Sequence, residues 1–149
     1  MIDDEDYDVV SQFKWSVSKA GKKYYAKASV PQSQLKSEGR KGCSIHLHAL
    51  IMRFPSKLVD HINGDTLDCR KENLREATSS QNSANRNGIH AKNTSGYRGV
   101  SFDKINHKWR AKVQVGLKHK TVGRFARIQD AINAAKEARL KYFGEFAGA

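Results

Sequence analysis

The sequence predicts an α+β protein made of two small domains, each a few antiparallel strands packed with a helix. Three observations predict it. Hydrophobic residues make up 38% of the 149-residue chain, too few for one large core and enough for two modest ones. Residues 58–86 read as strand, turn, strand and helix in quick succession. Beyond residue 96, three alternating strands lead into a helix with a single apolar stripe. The expected boundaries are 1–87 for the first domain (core 44–87), 88–95 for a polar linker, and 96–147 for the second.

At the start, Asp3 or Asp4 is placed to cap a short helix, with Val9, Val10 and Phe13 at helical spacing. Trp15 and Val17 then alternate with Lys14, Ser16 and Ser18 as in a half-buried strand, and residues 20–23 turn into a returning strand, Tyr24 to Val30. Residues 31–42 are polar and read as an exposed loop. Residues 44–54 are apolar again, a strand leading into a short helix that Pro55 ends. Val59 to Asp65 reads as a short strand running into a turn, with Asn63-Gly64 supplying positive φ, and Asn73 to Ala77 is its antiparallel partner. Thr78 or Ser79 caps a helix over roughly 80–86, stopped by Asn87-Gly88.

In the last third the expected strands are Tyr97–Phe102, Lys108–Val115 and His119–Phe125, the last two joined by a turn at residues 116–118. Trp109, Ala111, Val113 and Val122 are expected to face the helix, whose stripe is Ile128, Ala131, Ile132, Ala135, Ala138 and Tyr142. Gly144 is its C-terminal cap. The shared parity of Arg98, Val100 and Phe102 requires either a bulge at Gly99 or a strand that starts after Arg98.

The formal net charge is +12 and is unevenly spread. Residues 91–149 carry 13 Lys/Arg against 4 Asp/Glu, whereas residues 56–90 carry 5 against 5. A basic region that is also rich in Trp, Phe, Tyr and Val is a folded cationic surface, and nucleic acid is the polyanion it suits. Cys43 and Cys69 make no CxxC pair, so they read as reduced thiols, and no structural zinc is expected. Neither an apolar run of membrane-spanning length nor a signal-peptide pattern is present, and a cytoplasmic location is expected.

The neutral middle carries the chemistry. Asp60 and Asn82 are hard oxygen donors suited to Mg²⁺ or Mn²⁺. His61 is an imidazole able to deprotonate water near neutral pH. One metal beside one general base is a sufficient kit for phosphodiester hydrolysis. Singly, each of these residues also fits a structural role, and it is their order that singles them out. Val59-Asp60-His61-Ile62-Asn63-Gly64-Asp65, Asn73-Leu74-Arg75 and Ser80-Gln81-Asn82, preceded by Leu47-His48 and Leu50-Ile51-Met52, resemble the HNH endonucleases in their His-Asn-Asn variant, common in phage and mobile elements.

The resemblance implies a ββα-metal motif around one Mg²⁺ or Mn²⁺ ion. Asp60 and Asn82 would be its ligands, His61 the general base, and Asn73 the residue that holds the hairpin loop. It also implies a phage- or mobile-element protein acting in a bacterial host. Ala49 stands where relatives usually carry arginine, and Cys69 where asparagine is more usual. His48 is a supporting residue that packs near the site or contacts DNA, and His46 reads as structural.

Ser95-Gly96-Tyr97-Arg98-Gly99-Val100, Lys108 to Val113, Gly123-Arg124-Phe125 and the helix through Tyr142-Phe143-Gly144 resemble the AP2 DNA-binding domain. A sheet of that kind enters the major groove, where Arg and Gln read base edges and Lys contacts phosphate. Arg98 matches an arginine used in that family. The open face presents Arg110, Lys112, Gln114, His119 and Thr121. The whole therefore reads as a site-preferring DNA endonuclease acting on double-stranded DNA. Nick or double-strand break, and monomer or homodimer, stay open, and the alternative is a non-catalytic DNA-binding protein or inactivated nuclease remnant.

Overall fold

Short apolar runs broken by turn residues yield short strands and helices, seen here in a computed structural model that describes residues 1–31, 44–85, 89, 93–116 and 118–148. Residues 32–42 of the expected loop, the Asn87-Gly88 helix stop and residues 90–92 of the expected linker fall outside those residues. The chain divides into two compact units, Met1–Thr78 and Ser79–Ala149.

In the first unit a 3₁₀ turn (Asp4–Asp6) runs into helix α1 (Tyr7–Val10). Asp3 stands at the N-cap but makes no capping bond. Its carboxylate accepts instead from the Lys71 N–H at 2.8 Å, so the cap expected there is replaced by a tie to a distant loop. Strands β1 (Trp15–Ala20) and β2 (Lys23–Ser29) pair antiparallel across a turn at Gly21 (φ 63°), and β3 (Ser44–His46) adds to β2. Helix α2 (Leu47–Ile51) follows, then β4 (Leu58–His61) and β5 (Leu74–Ala77), an antiparallel pair in which His61 faces Leu74 and Asp60 faces Arg75.

Among the described residues, two small apolar clusters hold this unit. Val10, Leu47, Ile51, Cys69 and Leu74 form one; Ala28, Val30 and Ile45 form the other, and Trp15 and Leu50 pack on both. The Trp15 indole N–H also donates to the Val10 carbonyl at 2.8 Å. Val17, on the edge strand β1, departs from the expected half-buried alternation and is 66% exposed. Val9 is likewise exposed: a single turn of helix buries one side, and Val10 takes it.

In the second unit, helix α3 (Ser79–Ala84) precedes a three-stranded antiparallel sheet, β6 (Val100–Asp103), β7 (Lys108–Val115) and β8 (Lys118–Phe125), in that order. Helix α4 (Ile128–Phe143) packs on it and ends at Gly144 (φ 52°), whose N–H bonds the Leu140 carbonyl. Val100, Ala111, Ala131 and Ala135 form the core, flanked by Trp109, Phe125, Ile128 and Ile132. Small alanines let the helix approach the sheet closely.

Arg98 lies before the first strand, so the parity conflict is resolved by a later strand start. The bulge sits in β8 instead: Ala111 faces Gly123 and Lys112 faces Thr121, leaving Val122 as the extra residue. Val122 is 41% exposed, which corrects its expected burial, since a bulge throws the added residue out of alternation. Tyr142, expected on the buried stripe, is also exposed, with the Lys120 ammonium 5.0 Å from its ring centroid.

Gly99 has φ 78°, and a Cβ there would stand 2.6 Å from the Lys112 carbonyl oxygen. Both facts oppose any side chain. Gly99→Ala is expected to destabilise the second unit by about 2 kcal/mol or more, read as a lowered melting midpoint.

Candidate active site

Asp60 and His61 end β4, and both are buried, at 4% and 5% exposure. The Asp60 carboxylate is gripped from the paired strand: Arg75 Nε donates to Oδ2 at 3.0 Å, and Nη2 lies 3.0 Å from the same oxygen as an ion pair. Buried charge needs such a partner. The Asn73-Leu74-Arg75 motif alone gives Arg75 no role, and the strand register adds its role as the counter-ion of Asp60.

His61 sits among other rings. His48 meets it edge-on at 5.1 Å between centroids, Tyr25 lies at 6.5 Å, and the Cys69 sulfur is 4.0 Å from Nε2. Burial lowers the His61 pKa below its ordinary value and Lys23 adds to this, against the opposing pull of Asp60, Asp65 and Asp68. The imidazole is therefore neutral at neutral pH and able to accept a proton. Burial, with His61 and His46 beside it, brings His48 down to about 4. Burial pushes the Cys69 thiol up to about 11, so it stays protonated.

The loop between β4 and β5 is tied internally. The buried Asn73 donates from Nδ2 to the Asp68 carbonyl (2.7 Å), and its Oδ1 accepts from the Asn63 N–H (2.9 Å). The Asn73 carbonyl takes the Ile62 N–H at 2.9 Å. Gly64, at φ 79°, makes the turn. Asp68, fully buried, accepts from Arg70 Nε (2.9 Å), Arg70 Nη2 (2.8 Å) and Asn63 Nδ2 (3.0 Å). The Arg70 hydrogen bonds hold its carboxyl far below the ordinary carboxylate range. Sequence reasoning missed both Asp68 and Tyr25. The Asp68-x-Arg70 spacing was a usable signal for the first, whereas Tyr25 gains its place only when β2 and β3 pair and bring His46 within 5.8 Å of its ring.

Unfolded histidines titrate near 6.5, while His48 and His61 are held neutral in the fold. Below about 6.5 the unfolded chain therefore binds more protons, and stability falls as pH drops towards about 4. Thermal melts at about pH 7.5 and about pH 5 are expected to show a lower midpoint at the acidic value, with a smaller drop in His48→Gln.

Among the described residues, no group of three or more His, Cys, Asp or Glu side chains is arranged to hold a metal. Asp60 and Asn82 each carry a hard oxygen of the kind divalent ions take, Asp60 as a buried carboxylate in the first unit. Asn82 lies half-buried on α3, in the second unit.

The sheet of the second unit gathers five of the six expected DNA contacts. By register Arg110, Lys112, Gln114, Thr121 and His119 share the face turned away from the core residues Ala111 and Val113. Arg98 stands apart from them, its guanidinium donating to the Ser83 carbonyl at 3.3 Å. No helix among the described residues is long and apolar enough to cross a membrane.

No curated protein and no solved structure matches the chain. The family model described as HNH endonuclease matches residues 46–84, and this segment, from the paired histidines through Asp60, His61, Asn73 and Asn82, is an HNH endonuclease domain.

Proposed function

We propose that the chain is a divalent-metal-dependent DNA endonuclease in which the HNH domain cuts and the second unit grips duplex DNA. An HNH domain implies a nuclease with DNA as its substrate, and such enzymes generally use a divalent metal. The observation that carries the finer reading is a neutral, buried His61 next in the chain to the buried Asp60, at the end of β4 within the matched segment.

By the family resemblance, Asp60 and Asn82 would be ligands of one Mg²⁺ or Mn²⁺ ion; support for Asn82 is that the family match extends to residue 84. When bound, the ion supplies charge neutralisation at the scissile phosphate and at the leaving oxygen. His61 accepts the proton of the attacking water. Arg75 fixes the rotamer of Asp60, and Asn73 fixes the loop that follows His61. His48 packs edge-on against the buried His61. In the second unit the AP2-like reading is supported by the three-stranded sheet, its C-terminal helix and the basic open face.

Asn82→Ala tests the division of labour. It is expected to bind duplex DNA like the parent, with affinity falling by orders of magnitude between roughly 50 and 200 mM salt, and to lose cleavage. An Asn82→Ala protein that cuts at the parental rate would remove Asn82 from the centre. A parent that binds duplex but never cuts would favour a DNA-binding protein without catalysis.

A further inference from the structure

We propose that Arg124, held in place by Asp103, is the residue on the open sheet face that selects guanine in duplex DNA. This rests on the reading that the second unit binds duplex DNA, and it adds a specific base contact at a residue outside the expected set.

Strand register puts Ser101, Arg110 and Arg124 in one row across the open face, with Asp103 on the same face at the end of β6. Arg124 reaches across the middle strand to Asp103, its Nε donating to Oδ2 at 2.9 Å. Asp103 is itself immobilised. Its Oδ1 accepts from the Ile105 and Asn106 N–H groups (3.2 and 3.3 Å), and its Oδ2 also takes Asn106 Nδ2 at 3.0 Å. The Asp103 side chain is 9% exposed while that of Arg124 is 46% exposed.

The consequence is a guanidinium fixed by one nitrogen. Among the described residues, Nε alone of its three nitrogens is hydrogen-bonded, so the paired Nη edge is left to a ligand. In the major groove guanine offers two adjacent acceptors, O6 and N7, which a planar fork of donors matches. An arginine already frozen at Nε surrenders less side-chain freedom on contact than a free one. A phosphate contact would need no such orientation, and a lysine would serve it equally.

The neighbouring charge points to the same class of ligand. Arg110 lies directly opposite Arg124, and like charges so placed repel. Asp103 compensates one of the pair. Arg110 Nε and Ser101 Oγ are buried without a hydrogen-bond partner, so the row carries a surplus cation that a nucleic acid satisfies.

The test is selection of bound duplexes from a random-sequence pool by the full chain, in EDTA so that nothing is cut. Parent, Arg124→Lys and Asp103→Asn are run side by side after their melts are checked. The parent is expected to enrich guanine at one position. Both variants should lose that preference by roughly ten- to a hundred-fold while keeping preferences elsewhere. Arg124→Lys retaining the guanine preference would overturn the inference and make Arg124 a phosphate contact. A parent that binds duplex without base preference would also overturn it and leave DNA binding intact. A parent that binds no duplex at all would overturn the DNA-binding reading itself.

Discussion

Replacing His61 with alanine is expected to abolish DNA cleavage while leaving binding and fold in place. A positioned general base contributes about 10²–10⁴-fold, and among the described residues His48 is the other imidazole in contact with the His61 ring. His48 is poorly suited to substitute, because burial and two neighbouring imidazoles bring its pKa to about 4 and make it a weak base. Loss of a buried neutral ring costs the fold about 1–3 kcal/mol, so the variant should still melt cooperatively. Nicking rates for His61→Ala and His48→Ala measured together separate the roles: near-complete loss in the first, a modest loss in the second. Equal losses in both would mean that the histidine cluster acts as one structural block.

The second large effect is expected at Asn73. Asn73→Ala removes the donor to the Asp68 carbonyl and the acceptor of the Asn63 N–H in a buried setting. Each orphaned group costs about 1–3 kcal/mol, giving a loss of about 3 kcal/mol in all and a clear fall in melting midpoint. Cleavage should fall at least tenfold even at temperatures where the variant stays folded, because the loop that follows His61 is no longer fixed. Asn73→Asp keeps the acceptor and loses the donor, so it should lie between parent and alanine in stability. A fully active, fully stable Asn73→Ala would show that the loop is held by other means, and Asp68 with Arg70 would then carry it.

Local chemistry was legible in the sequence wherever one segment sufficed. The Asn63-Gly64 turn, the β4–β5 pair, the C-terminal helix and its Gly144 cap all depend on neighbours in the chain. The open face from Arg110 to His119 also followed from period-two alternation. Misreadings arose where distant segments decide. Asp3 was free to cap its own helix until Lys71 took its carboxylate. Val122 fits the apolar alternation of β8, and only the bulge opposite Ala111 and Lys112 puts it in solvent. Asp60, His61 and Asn73 stood out by type and order, yet Arg75 as the partner of Asp60 and Cys69 against His61 required the strand register and the loop closure to be known.

The central claim is that the Asp60–His61 centre hydrolyses DNA with the help of a divalent ion. Its most direct measurement is conversion of supercoiled plasmid by the purified full chain, with Mg²⁺ or Mn²⁺ against EDTA. The account predicts open-circular or linear product with the metal and none with EDTA. Cutting that proceeds undiminished in EDTA, or plasmid left intact in both metals while the protein binds it, would contradict the account.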